Sequence, residues 1–301
     1  MKSLKPILYF SIFKYPLKEE EVFEFSDNTS ISNVKEELSW LLKKGVVFKF
    51  HNYYTINNNP QLIDRRVKGN TMAKKVIPKA IRVAKFIAKF PYIESVSLSG
   101  ALAKGYHDKD GDIDFFIITK PNRLWVARTL LILYKKIFLL NSKKYFCVNY
   151  FISSNQMQIA EQNRFTASEI VTLIPVCGEN TFSSFLKEND WVNAFFPNKK
   201  PIHTSTIVDV KKYWFSRLLQ ILLKNNIGDF FDRFFQKLTL KKWASKFGHL
   251  EKEEFAIAMK STKNVSKHHP QNFQKKVIDL LNDDYEKIKA KYNIELSPEH
   301  A

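Results

Sequence analysis

The chain has 301 residues, 45% of them hydrophobic and 14% aromatic, which is enough apolar surface for more than one core and too much for a disordered segment. Lys and Arg outnumber Asp and Glu by 48 to 30, a formal net charge of +18, and there are only eight glycines and two cysteines; this excludes a collagen-like chain, a low-complexity scaffold and a disulfide framework. The positive charge calls for an anionic partner such as nucleic acid or nucleotide, or reflects a Lys-rich proteome.

In chain order, residues 1–58 read as helices followed by a hairpin. Lys2 to Phe13 is the first helix; after a turn at Tyr15-Pro16, Leu17 to Phe25 forms a short amphipathic turn, and Ser26 to Ser30 supplies loop and N-cap chemistry. Ile31, Val34, Leu38, Leu41 and Leu42 recur at helical spacing, and Gly45 closes this third helix. Val46 to Phe50 and Tyr53 to Ile56, separated by His51-Asn52, read as a β-hairpin. Helix, helix, helix, hairpin is the order of a winged helix. Such units often bind DNA through the third helix, yet Glu36 and Glu37 on its polar face repel phosphates, which favours a structural or protein-contact role. The apolar run Ile7 to Phe13 is broken by Lys14 and lacks a small-residue cleavage site, so it is not expected to be a signal peptide.

Residues 59–90 form a basic connecting helix, with nine Lys and Arg against the single acid Asp64. Its basic face serves as a solvated surface, a nucleic-acid surface or a wall that neutralises a polyphosphate. Ala73, Val76, Ala80, Ala84 and Ile87 give it a core stripe, and Pro78 is expected to kink or break it.

Residues 91–178 carry the chemistry. Ser95 to Leu98 is a strand ending in Ser99-Gly100, where a short helix begins, and backbone amides at a glycine-led helix start suit an anion. After the polar loop from His107 to Gly111, Asp112-Ile113-Asp114 runs into the apolar strand Phe115 to Ile118. Carboxylates at i and i+2 of an extended segment project to the same side, and their repulsion is relieved by a divalent cation. Mg²⁺ prefers such oxygens and keeps its other positions for water and substrate phosphates. Lys104, on the helix after Gly100, is placed to reach a phosphate.

Gly100-Ala101, ten intervening residues and then Asp112-Ile113-Asp114-Phe115 resembles the signature of the DNA polymerase β superfamily of nucleotidyltransferases. The resemblance covers Ile93 to about Ile152, and within that superfamily the chain looks most like bacterial nucleotidyltransferase-domain proteins with an N-terminal winged helix. It implies a mixed sheet backed by helices, with Ser99, Gly100 and Ala101 at the nucleoside triphosphate and Asp112 and Asp114 bridging two Mg²⁺ (or Mn²⁺) ions. The serine that follows glycine in the family is Ala101 here, and Ser99 partly substitutes for it. The third carboxylate position, on the strand Phe146 to Phe151, holds Asn149, which ligates a metal through its carbonyl but accepts no proton. Asp108, Asp110, Glu161 and Glu169 lie nearby in sequence without matching that position.

Leu124 to Leu140, interrupted by Arg128, Lys135 and Lys136, reads as a helix buried in a soluble protein, too short for a membrane span, and its buried Arg128 requires a partner. Arg123 flanks the site. Thr166 to Ile174 reads as a capped helix ending at Pro175, with Gly178 opening a loop. Residues 179–301 read as mostly helical, with helices at Tyr213–Leu223, Ile227–Leu238, Lys242–Phe247 and Phe273–Tyr292. Phe230, Phe231, Phe234 and Phe235 are assigned to core packing, and His249, His268 and His269 lack zinc-site spacing. Cys147 and Cys177 read as buried thiols of a reducing cytoplasm. The expectation for the whole is an α+β protein, cytoplasmic and without membrane partner, and the resemblance implies a Mg²⁺-dependent nucleotidyltransferase acting from a nucleoside triphosphate onto a hydroxyl acceptor. The alternative is a catalytically weak regulator that binds nucleotide or DNA through its basic surface or winged helix.

Overall fold

A computed structural model describes residues 1–142, 144–204, 207–247, 255, 259–268 and 272–300. His249 and His269 fall outside them. The chain begins with α1 (Leu4–Ile12), the two-residue β1 (Leu17–Lys18), α2 (Glu19–Glu24) and α3 (Ile31–Lys43), followed by β2 (Phe48–Phe50) and β3 (Tyr53–Thr55). The last three strand segments form an antiparallel sheet in the order β1-β3-β2. Ser30 caps α3 by accepting from the Asn33 N–H at 3.2 Å, while Val34, Leu38 and Leu41 bury its inner stripe. On its other face, Glu37 accepts from the Ser3 N–H at 2.7 Å and so ties α3 to the start of α1.

The connecting helix α4 (Gln61–Ala88) is one continuous element. Pro78 therefore does not break it: the proline lies on the exposed face, where the carbonyl it leaves unpaired is solvated, while Ala73, Ala80, Ala84 and Ile87 stay buried on the other. Lys68, Lys74, Lys75, Lys79 and Arg82 are exposed. Arg66 is the exception, buried against Tyr15 and paired with Glu21 at 2.6 Å, which fixes α4 to the N-terminal unit.

The central sheet contains β4 (Ile93–Ser99), β5 (Asp114–Thr119), β6 (Cys147–Ser153), β7 (Ile174–Cys177) and β8 (Val265–Lys267) in the order β7-β4-β5-β6-β8. Only β5 and β6 are parallel. One face packs on α4 and α6 (Leu124–Phe138) through Val96, Leu98, Phe115, Ile117, Val148 and Phe151. The other face packs on α1, α7 (Arg164–Val171), α8 (Glu179–Glu188) and α12 (Phe273–Tyr292) in a core that runs on into the N-terminal unit.

Several expectations are corrected. The helix expected over Thr166 to Ile174 ends at Val171, and Ile174 begins β7 because its alternating partners pair with β4. Gly178 does not open a loop but caps α8 in a left-handed conformation, φ +82°. The C-terminal region carries α9 (Val192–Phe195), α10 (Trp214–Leu222) and α11 (Asn225–Phe247) and, besides its helices, the short edge strand β8. The two expected helices at Ile227–Leu238 and Lys242–Phe247 are the single α11. On it, Phe230, Phe231 and Phe234 are 61%, 36% and 48% exposed rather than core, because the helix turns its Phe235, Asp232 and Trp243 inward instead. Arg128 finds its partners in the faces of Trp125 and Trp243, its pKa lowered by burial to about 10. Cys147 and Cys177 are free and buried. Among the described residues no helix is long and apolar enough to cross a membrane.

Candidate active site

The site forms at the edge of the sheet where the C-terminal end of β4 lies beside the N-terminal ends of β5 and β6. Strand β4 stops at Ser99 and turns into the single-turn helix α5 (Gly100–Ala103), and Gly100 makes that turn at φ +66°. A Cβ there would meet Asp114 Oδ2 at 2.6 Å. Glycine is therefore required twice, by the backbone conformation and by the carboxylate lying against it. Ser99 pairs directly with Asp114 across the β4–β5 ladder, which sets that register.

Asp114 is the first residue of β5, opposite Cys147 on β6. A register shift follows between Phe115 and Phe116, and Asn149 is the extra residue on β6. The bulge keeps two residues of β6 on the Asp114 side of the sheet: Asn149 Nδ2 donates to Cys147 Sγ at 2.8 Å. Burial raises the pKa of Asp114 to about 6, with the charges of Asp112 and Glu169 adding to the rise and Cys147 and Lys104 opposing it. The Cys147 thiol is pushed up in turn, by burial first and then by the charge of Asp114.

Ser99, Gly100, Ala101, Lys104, Asp114 and Asn149 line one cavity of about 580 Å³. Asp112 stands just before β5, outside this lining but within electrostatic reach of Asp114. Lys104 is engaged by Glu169 at 2.5 Å. Asp108 and Asp110 are exposed to solvent, and Arg123 is ion-paired with Asp229 away from the cavity. The remaining walls come from distant segments: Phe10 and Phe13 at the end of α1, Phe165 and Glu169 on α7, and Lys267, Phe273 and Gln274 near the C-terminus. No local motif marks Phe13, Phe165, Lys267 or Gln274, because tertiary packing alone brings them together. Glu161 and Glu169 were visible only as acids near the Asn149 strand.

Among the described residues no three His, Cys, Asp or Glu side chains converge into a metal cage. Two carboxylates with an amide carbonyl nearby, one carboxylate being half-buried with a raised pKa, fit a hard cation that completes its shell with water and substrate phosphates. They do not provide an all-protein site.

Residues 80–171 match the family model of the nucleotidyltransferase domain. No curated protein and no solved structure matches the chain. The matched nucleotidyltransferase domain runs from the second half of α4 to the end of α7 and so contains the Ser99-Gly100 turn, both aspartates, Asn149 and Glu169. Residues 1–79 and 172–301 lie outside it, including β8 and α12, although both contribute to the same cavity.

Proposed function

We propose that the protein is a Mg²⁺-dependent nucleotidyltransferase that moves a nucleoside monophosphate from a nucleoside triphosphate to a hydroxyl acceptor. The observation that carries this reading is the close approach of Gly100 to Asp114, which brings a glycine turn and a half-buried carboxylate to one wall of a cavity within the region matched by the nucleotidyltransferase domain. The free amides at the start of α5 meet the β- and γ-phosphates. Asp112 and Asp114, with the carbonyl of Asn149, would hold the cation, which would supply charge to offset the Asp114 carboxylate and the departing pyrophosphate. The acceptor oxygen bonds to the α-phosphorus as the bond from that phosphorus to the bridging oxygen breaks. The electron pair leaves with pyrophosphate, and the acceptor proton passes to water, since Asn149 accepts none. Glu169 holds Lys104 toward the turn, and the apolar walls limit water in the cleft.

The N-terminal unit is read as a winged helix on the strength of its element order and its β1-β3-β2 sheet. Its α3 is tied down through Glu37, which favours a structural role over DNA binding. Asn149 and Ala101 favour a second reading, a weakly active protein that binds nucleotide and regulates. The two readings separate on pyrophosphate release from the four ribonucleoside triphosphates in the presence of a mixed pool of small hydroxyl compounds. The enzyme reading expects Mg²⁺-dependent release that Asp112→Asn/Asp114→Asn abolishes and Asn149→Asp accelerates. Release by the double variant at the wild-type rate overturns it, and no release by wild type or Asn149→Asp leaves the regulator.

A further inference from the structure

The identity of the acceptor is written on the side of the cleft opposite the Gly100 turn, an argument that rests on the nucleotidyltransferase reading. With the triphosphate at the end of β4, in-line displacement brings the acceptor oxygen from the side away from the departing pyrophosphate. In the order β4-β5-β6-β8 that is the β6–β8 side. At about 4.8 Å per strand, β8 lies about 10 Å beyond β5, the span of a small molecule.

Lys267 occupies that side. It sits on β8 opposite Tyr150, lines the cavity and is only 8% exposed. Its Nζ donates to Gln274 Oε1 at 2.9 Å. The two glutamates of the cleft already have ammonium partners, Glu169 with Lys104 at 2.5 Å and Glu161 with Lys260 at 2.8 Å. Lys267 has no carboxylate within ion-pair distance among the described residues. Burial and Lys260 pull its pKa down, while Glu161 and Glu169 push it back up. An ammonium so buried, with one neutral hydrogen-bond acceptor for three N–H donors and the Tyr150 ring 6.0 Å away, is stabilised by an anion. Beside it on α12, Phe273 packs on Phe13 and Phe165 with ring centroids 6.1 and 6.0 Å apart. Lys267 and Phe273 both lie outside the matched nucleotidyltransferase domain.

We propose that the acceptor is a small hydroxyl compound with an anionic group, phosphate or carboxylate, bound by Lys267, and an apolar body placed against Phe13, Phe165 and Phe273. The probes are phenyl phosphate, benzoate and neutral benzyl alcohol, titrated calorimetrically into the full chain with and without Mg²⁺. One of the two anions binds wild type in either condition, and which one binds tighter distinguishes a phosphate ester from a carboxylate acceptor. Benzyl alcohol binds at least tenfold more weakly. Lys267→Met, or Lys267→Gln where the methionine variant does not fold, weakens the anion at least tenfold, while Asp112→Asn/Asp114→Asn changes it less than threefold. In wild type the tighter anion also protects Lys267 from acylation, read by mass spectrometry. Anion affinity unchanged on loss of Lys267, equal binding of benzyl alcohol, or no protection overturns the proposal. Titration with Mg²⁺ and triphosphate separates the two readings: intact nucleotide binding without Lys267-dependent anion binding overturns the acceptor proposal alone. Absent nucleotide binding with the anion site intact overturns the nucleotide reading, and the acceptor role with it.

Discussion

The two faces of the central sheet are made by the same strands, yet one is core throughout while the other divides between a core and the cleft. Alternation sends Val96, Leu98, Phe115, Ile117, Val148 and Phe151 into the core under α4 and α6. Of the residues between them, Phe116, Ile118 and Ile152 join the second core, while Ser99, Asp114 and Tyr150 line the cleft with Lys267. Period two lets one strand carry a core and a site at once, and the difference teaches where each kind of substitution acts. On the α4–α6 face the penalty is lost packing; on the cleft face it is charge and shape.

Four substitutions sharpen or break that contrast. Phe151→Ala, at a fully buried ring of the packed face, is expected to lower stability by about 3–5 kcal/mol, measured by chemical denaturation; a change below about 1 kcal/mol contradicts the packing account. On the cleft face the effect depends on pH. Asp114 holds its proton in the folded protein to about pH 6, against 3.8 for a free carboxylate. Between those values the folded state binds more protons than the unfolded one, so without divalent cation stability falls as pH rises from about 4 to 6 and stays reduced above. The full penalty is about 3 kcal/mol. Asp114→Asn removes it, flattening the stability profile and making the cation-free variant more stable than wild type at pH 7; a parallel profile for the two proteins overturns this.

Gly100→Ala comes next. Its left-handed φ costs about 1–2 kcal/mol, and the added methyl displaces the Asp114 carboxylate, so nucleotide affinity falls together with stability. Unchanged thermal denaturation and nucleotide titration contradict the geometry. Ser97→Ala has the smallest expected effect. Ser97 Oγ is buried with no hydrogen-bond partner, so its removal is expected to be neutral or stabilising by up to about 1 kcal/mol. Loss of more than that in denaturant unfolding shows that the hydroxyl has a function in the fold.

Much of this contrast is legible in the sequence, and the limit is a matter of range. The Ser99-Gly100 turn, the pair Asp112 and Asp114, and the strand with Asn149 are local patterns, because a turn and two paired strands declare themselves in residue type and spacing. The helix α3 and its Ser30 cap are legible for the same reason. What lies beyond the chain's local grammar is the far wall of the cleft. Phe13 and Phe165 read as ordinary apolar residues, Val265–Lys267 is too short for an alternation to register, and Ile174 continues a helical pattern until pairing with β4 overrides it. The exposed Phe230 and Phe234 follow from the same blindness: periodicity places apolar residues on one helix face but does not say whether anything covers that face.

The central claim, that the cleft face binds a triphosphate through a cation held by Asp112 and Asp114, is tested most directly by calorimetric titration of the four ribonucleoside triphosphates. The comparison is between wild type and Asp112→Asn/Asp114→Asn, each with and without Mg²⁺. Saturable binding by wild type that requires Mg²⁺ and is lost in the double variant is the predicted result. Equal binding by both proteins, or no binding by wild type with Mg²⁺ present, contradicts it.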